Sequence, residues 1–435
     1  MSLQATLQTT LRWLPSYMWQ RAVRHVPKGR VHLIIALADH FEPSITPGKG
    51  GARASGGEQE RRLEHWCREY PRVVDDWRDA DGRPFRHTYF YPAEQYDPVL
   101  IERVAEHCRQ GWGEVEVHLH HGVNGPDTAE NTRRTLVEFR DLLAGQGCLS
   151  RWDGAGSPRY AFVHGNFALA NSARGRFCGV DDEMQILSET GCYADLTLPS
   201  APNISQTAKI NSLYECGLPL DCRAPHRRGH DLEAGRAPAI FPLVIQGPLV
   251  MDWRRRRGRW RIPGFENGDL AAHRPPSVDR LRLWRRVPIG VRGRPDWLFV
   301  KLHCHGMDPR DGEAMLGGPM RQFLADLAAG CREGRYDFHF VTAREMVNIA
   351  LAACDGRDGN PGDYRDYRLR LIGKPTGVVE ASSQERGSPA STTKNSAGGS
   401  GRASGLSEPP GPTLQGLGAA GNYGCGGQPL DTKGR

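Results

Sequence analysis

Four short stretches hold most of the residues able to do acid–base or metal chemistry. They are Ala38-Asp39-His40-Phe41-Glu42-Pro43, His118-Leu119-His120-His121-Gly122, Phe162-Val163-His164-Gly165-Asn166 and Lys301-Leu302-His303-Cys304-His305-Gly306. Seven of the sixteen histidines fall in these stretches, which sets them apart from scattered core histidines held by one hydrogen bond. Burying His118, His120 and His121 together without a task would leave many polar atoms to satisfy. Neutral imidazoles and a carboxylate make up the donor set of a divalent metal that keeps one position open for water. The ion acidifies that water and polarises a carbonyl. A nearby carboxylate can then take a proton, and an imidazole can return one to the leaving group. Taken alone, Asp39-His40 reads equally well as a turn or helix cap, and its weight comes from the other three stretches. His303 and His305 alternate onto one strand face, so Cys304 points away and is not read as a nucleophile.

These residues are far apart in sequence, so the fold must gather them. Each stretch ends an apolar or β-branched run: Val31–Ala38, Glu114–His120, Tyr160–His164 and Trp297–His303. Arg86–Tyr91, Tyr193–Pro199, Phe241–Gln246 and Asp337–Val341 read as further strands. Helical spacing falls between them at Pro98–Gln110, Glu130–Ala144, Asp181–Glu189, Gly312–Glu333 and Ala343–Cys354. Alternation of this kind predicts an α/β fold with parallel strands, each crossover needing a helix. Some seven units favour a barrel over an open sheet. In such a barrel the carboxyl ends of the strands share one mouth, where active sites form. The segment at Gly191–Asp195, its strand end at Pro199–Pro202, and Gln246-Gly247-Pro248 reach the same mouth as substrate loops or as plain turns.

Length and composition bound the rest. The chain has 435 residues, and 57 basic against 50 acidic side chains give a net charge of +7. That excess is mild and does not call for nucleic acid. No run of about 18 apolar residues occurs, which argues against a transmembrane helix. The eleven cysteines include no CxxC pair, which speaks for a reducing compartment rather than a disulfide framework. The reading divides the chain into an amphipathic extension (1–30), a catalytic body (31–355) and a low-complexity tail (356–435). From Ala381 onward the tail is poor in large apolar residues and is expected to be disordered. In the extension, apolar residues between Leu11 and Val23 sit among arginines, with a break expected near Pro15. This segment either packs on the body or lies on a membrane surface. Arg254–Arg257 with Arg259 and Arg261 reads as a hairpin with a basic, solvated tip.

The stretches above resemble the polysaccharide deacetylase superfamily (NodB homology, carbohydrate esterase family 4), in particular its divergent members found with exopolysaccharide biosynthesis genes. The resemblance rests on ALADHFEP (36–43), EVEVHLHHG (114–122), FVHGNFALANS (162–172), CGVDDEMQILSETGCYADLTLPSAP (178–202) and FVKLHCHGM (299–307). It implies a distorted (β/α)7 barrel and a divalent metal, zinc in many members, used to remove acetyl groups from a glycan. Asp39 matches the family's catalytic base, and His40 stands where a metal-binding aspartate is usual. His118 fits the first metal histidine, with His121 or His120 as the second. Arg159 and His164-Gly165-Asn166 replace an Arg-x-Pro-x-Gly motif. His303 fits the general acid, with His305 as the other choice. Asn166 is a candidate to hold the developing oxyanion, and His164, His305 and Asp195 are candidates for substrate contact. The expected partner is an acetylated glycan, with a peripheral membrane contact through residues 11–24 allowed. The missing secretory leader points to the cytoplasm, including the inner face of the membrane.

Overall fold

The computed structural model describes residues 3–373, apart from 26, 48–52, 254–255, 258–259 and 262–263. The tail from 374 onward, with its expected disorder, lies outside the described residues.

The sheet elements in chain order are β1 (His32–His40), β2 (His87–Pro92), β3 (Gly113–Leu119), β4 (Ser150–Trp152), β5 (Ala155–His164), β6 (Cys192–Asp195), β7 (Leu213–Cys216), β8 (Gly229–Asp231) and β9 (Leu243–Ile245). They continue with β10 (Val250–Asp252), β11 (Arg256–Arg257), β12 (Trp260–Arg261), β13 (Gly264–Glu266), β14 (Asp269–Leu270), β15 (Trp297–Cys304), β16 (Asp337–Val341) and β17 (Leu369–Leu371). The helices are α1 (Leu3–Val23), α2 (Gly56–Val74), α3 (Pro98–His107), α4 (Ala129–Gly145), α5 (Glu183–Glu189), α6 (Val278–Trp284), α7 (Gly312–Leu316), α8 (Gly318–Arg332) and α9 (Ala343–Cys354).

One curled sheet organises the molecule. Its order is β14-β15-β1-β2-β3-β5-β6-β9-β7-β8. Pairing is parallel from β14 as far as β9, then antiparallel through β7 and β8. The fold is therefore mixed α/β, curled through about half a barrel. The expected closure into a (β/α)7 barrel is replaced by this antiparallel continuation, and among the described strands no ladder joins β9 to β15. The two flanks still approach each other: a Cβ on Gly247, just past β9, would lie 2.4 Å from the Lys301 carbonyl of β15. One edge of β1 is shared, with β16 taking His32–Ala36 and β2 taking Leu37–His40.

Alternation along β1 sets the two faces. Leu33, Ile35 and Leu37 join the convex core with Leu63 and Trp66 of α2, Leu100 of α3, Leu136 of α4 and Phe323 of α8. Ile34, Ala36 and Ala38 join the concave core with Val163, Ile245, Phe299 and the apolar residues of α9. All twelve residues of α9 are buried. A helix apolar on most sides needs such enclosure, and here the curl of the sheet supplies it. A capping box between Thr342 and Glu345 starts α9. Its few charges are matched: Arg344 pairs with Glu114, and Glu345 with Arg86.

Several expectations are revised. Pro15 does not break α1, which runs unbroken from Leu3 to Val23. Trp13 and Tyr17 bury against Ala201, Ile210, Leu249 and Val287, while Trp19 stays 62% exposed. The strand read at Tyr193–Pro199 stops at Asp195, before two cis prolines at 199 and 202. The helical run at Gly312–Glu333 divides at Gly317. Residues 356–373 belong to the body rather than the tail: β17 pairs with β4, and Arg365 pairs with Asp79, Asp81 and Glu345. The basic hairpin exists as β11 against β12, but its turn and side chains lie outside the described residues.

Candidate functional site

The concave face of the sheet ends at its mouth in a cluster of imidazoles. Alternation carries His40 onto the same face as Ala36 and Ala38, and His118 onto the face of Glu114 and Glu116. The His40 ring centroid lies 4.9 Å from that of His118 and 4.8 Å from that of His305. His303 follows at 6.4 Å. His120, the first residue past β3, stacks edge-on against His118 with centroids 4.5 Å apart. The structure thus brings together His40, His118, His120, His303 and His305.

The carboxylate among them is Glu42. Its Oε1 lies 3.5 Å from His118 Nε2 and 3.6 Å from His120 Nε2. Both imidazoles are fixed from behind. His118 Nδ1 faces the Val163 carbonyl at 2.7 Å, so it donates there and leaves Nε2 as the free lone pair. His120 Nδ1 faces Glu94 Oε1 at 2.8 Å, and Glu94 Oε2 accepts from the His120 backbone N–H. Among the described residues, buried His118 Nε2 has no hydrogen-bond partner. Two Nε2 atoms and a carboxylate converging on one point, each imidazole oriented by a carbonyl or carboxylate, fit the donor chemistry of a divalent ion. Glu42, His118 and His120 could hold one, with His40 and His305 beside them.

Burial favours the neutral form at most of these imidazoles, while at His120 it is outweighed by the Glu94 hydrogen bond and the Glu42 charge, which raise the group. Burial holds His40 and His303 well below the ordinary imidazole value, so both are neutral. Burial also lowers His118. For Glu42, burial pushes upward, but His118, His120 and His305 outweigh it and bring the carboxyl down to about 2. Beside the cluster opens a cleft of about 600 Å³, lined in part by His303, His305, Asp269, Asn267, Ser200 and Arg310. Asp269 pairs in register with His303, and its Oδ1 lies 3.9 Å from His303 Nε2.

Other expected residues lie elsewhere. Asp39, expected as the base, sits on the convex face of β1. Its Oδ1 accepts from the Gly306 N–H at 2.7 Å, and its Oδ2 faces His87 Nδ1 at 3.1 Å. It ties down the turn that carries His305 and does not reach the mouth. A Cβ at Gly306 would fall 2.3 Å from Asp39 Oδ2, so only glycine permits this bond. Of the alternatives His121 and His120, the second joins the mouth. His121 turns to the convex side and meets His164, expected at the substrate, at 3.0 Å between Nε2 atoms. Asp195, also expected at the substrate, is buried below the mouth and bonded to the Thr197 hydroxyl at 2.6 Å. Burial pushes its carboxyl up to about 7 and pushes the equally buried Lys301 ammonium down to about 7. Asn166 holds a left-handed backbone at φ 57°, and its neighbour Phe167 lines the cleft instead.

Sequence reasoning assigned no role to Glu42, Glu94 or Asp269. Glu42 follows the end of β1, where strand alternation no longer tells which way a side chain points. Glu94 sits in a single 3-10 turn after Pro92, and Asp269 in a strand of two residues. Neither element has a periodicity to read. No family model matches the chain, and no curated protein matches it.

Proposed function

We propose that the chain is a metal-dependent hydrolase that removes acetyl groups from a glycan, with Glu42, His118 and His120 holding the ion. The observation that carries this reading is the convergence of Glu42 Oε1 with two pre-oriented Nε2 atoms at 3.5 and 3.6 Å. Imidazole and carboxylate donors suit zinc and its neighbours. An ion bound there supplies Lewis acidity to a carbonyl and acidifies water. His303 is neutral at rest and open to the cleft, so it takes the proton from the attacking water and delivers it to the leaving oxygen or nitrogen. The Asp269 carboxylate stands beside that imidazole at 3.9 Å. Ser200, Asn267 and Arg310 on the cleft wall supply hydrogen bonds for sugar hydroxyls. The curled sheet reads as an opened form of the deacetylase barrel, and the acetylated substrate follows from the resemblance of the strand-end stretches. The apolar face that α1 leaves exposed, Leu7, Leu11, Met18 and Trp19, suits docking on the inner surface of a membrane. Among the described residues no helix is long and apolar enough to cross one.

The position of Asp39 favours a second reading, a glycan- or partner-binding descendant of such enzymes, because no carboxylate base faces the mouth from β1. Acetate release separates the two. The wild type, loaded with zinc, cobalt or manganese, is assayed on acetylated chito-oligosaccharides and O-acetylated polysaccharide. The hydrolase reading expects release by the wild type, loss of release and of one bound ion in His118→Ala, and loss of release with the ion retained in His303→Ala. No release from any substrate with any of the metals leaves the binding reading.

A further inference from the structure

On the convex side, His121, His164, Cys178 and Glu183 are all buried, and their donor atoms lie within 4.8 Å of one another. We propose that these four residues form a second metal site, structural rather than catalytic, for zinc or a divalent ion of similar softness. The site shares no residue with the mouth and stands whether or not the hydrolase reading holds.

The spacing is close to that of a coordination shell, two of the four contacts matching it and two being shorter. His121 Nε2 lies 3.0 Å from His164 Nε2 and 2.9 Å from Glu183 Oε1. His164 Nε2 lies 3.6 Å from Glu183 Oε1, and Cys178 Sγ lies 3.5 Å from Glu183 Oε2. In a tetrahedral zinc site with bonds of 2.0–2.3 Å, neighbouring donors stand roughly 3.3–3.6 Å apart. Two nitrogens, one sulfur and one oxygen make a complete set of four, as closed structural sites have. A thiolate with two imidazoles selects zinc over the hard cations.

Each ligand is also oriented by a second partner. His121 Nδ1 faces Asp127 Oδ2 at 2.9 Å, and Thr132 donates its hydroxyl to the same carboxylate oxygen at 2.8 Å. This is the carboxylate–histidine pair that steers a ligating Nε2. His164 Nδ1 bonds the Gly165 carbonyl. Cys178 Sγ accepts backbone N–H groups from Asn171 at 3.3 Å and Val180 at 3.4 Å. His121 lines a shallow cleft with Gly122 and Asp127, which gives an ion its approach.

The chain around the cluster needs a clasp. Between His164 and Cys178, the non-glycine residues Asn166, Phe167, Ala170, Asn171, Arg174 and Phe177 all hold positive φ between 46° and 62°. L-residues avoid that region unless the surroundings impose it. Only two short 3-10 turns occur in the segment. A metal joining its two ends to His121 would fix this loop, which also carries Phe167 into the mouth cleft.

The test uses cobalt(II) as a spectroscopic probe on the intact chain. The proposal expects a thiolate-to-cobalt charge-transfer band in the near ultraviolet for the wild type. A mouth variant, His118→Ala with Glu42→Gln, keeps that band. Cys178→Ser loses the band and one equivalent of ion per chain. A cobalt-loaded wild type with no such band overturns the proposal without reference to any variant. So does a band that persists in folded Cys178→Ser, which would place the thiolate elsewhere. Retention of every bound cobalt ion by the mouth variant, with the band intact, would count against the mouth site alone.

Discussion

Glu116 offers a clean test of how the concave core is built. It is fully buried on the same face as His118, one layer deeper. Its Oε2 accepts from the Ala161 N–H at 2.6 Å, and its Oε1 meets the Tyr193 hydroxyl. Among the described residues no cation bonds it, Arg344 being engaged by Glu114. Burial therefore wins over both hydrogen bonds and lifts its carboxyl from 4.5 to about 8. In the fold the group stays protonated at neutral pH, while in the unfolded chain it ionises above 4.5. Unfolding thus releases a proton between these values. A raised folded pKa gives stability that is complete below the unfolded value and drains away as pH rises to the folded one. The slope is about 1.4 kcal/mol per pH unit. From pH 5.5 to 7.5 the loss reaches roughly 2–3 kcal/mol. Glu116→Gln keeps the shape, accepting from Ala161 and donating to the Tyr193 oxygen, and removes the titration. Urea unfolding of both proteins from pH 5 to 8 at fixed ionic strength measures the difference, in which all other titrations cancel. The stability of the variant relative to the wild type should climb with pH at that slope. A difference flat across the range would refute the claim that Glu116 is held neutral.

Three further outcomes follow from specific contacts. Glu94→Ala releases His120 from behind and should weaken metal binding at the mouth by about 10–100-fold in a chelator competition; unchanged affinity would remove Glu94 from the site. Gly306→Ala forces a methyl group against Asp39 and Trp66 and should cost about 1–3 kcal/mol, read as a lowered Tm. Arg365→Ala leaves the buried Asp79 carboxylate without its cation and should cost about 3–5 kcal/mol, read by urea unfolding.

The strand ends were legible because period-two alternation is a strong pattern. His40, His118 and His303, each ending or following a strand run, lie together at the mouth. The same rule separates neighbours, so Asp39 and His40 could not both face it from one regular strand, and Asp39 went to the other side. What followed the strands was not legible. Beyond Leu119 the chain leaves its ladder, and nothing in HLHHG says that His120 turns inward while His121 turns outward. Cys178 and Glu183 stood in a quoted stretch, yet their meeting with His121 depends on a loop of left-handed residues that sequence patterns do not encode. Helix α2 escaped notice although Leu63, Trp66, Tyr70 and Val73 mark its buried face, because dense charge and an internal Pro71 mask the spacing. The short β7 and β8 lack the length for a pattern and turn the expected barrel into a half-barrel.

The enclosure of α9 bears on how the protein is made. The helix that fills the concave face is the last one in the body, and β1 takes partners from β15 and β16, near the body's end. At synthesis rates of about 5–20 residues per second, β1 waits roughly tens of seconds for them. During that wait the strands from β1 to β9 present an apolar inner surface that no nascent segment yet covers. Until residues 343–354 emerge, the concave core lacks the helix whose twelve residues are all buried in it.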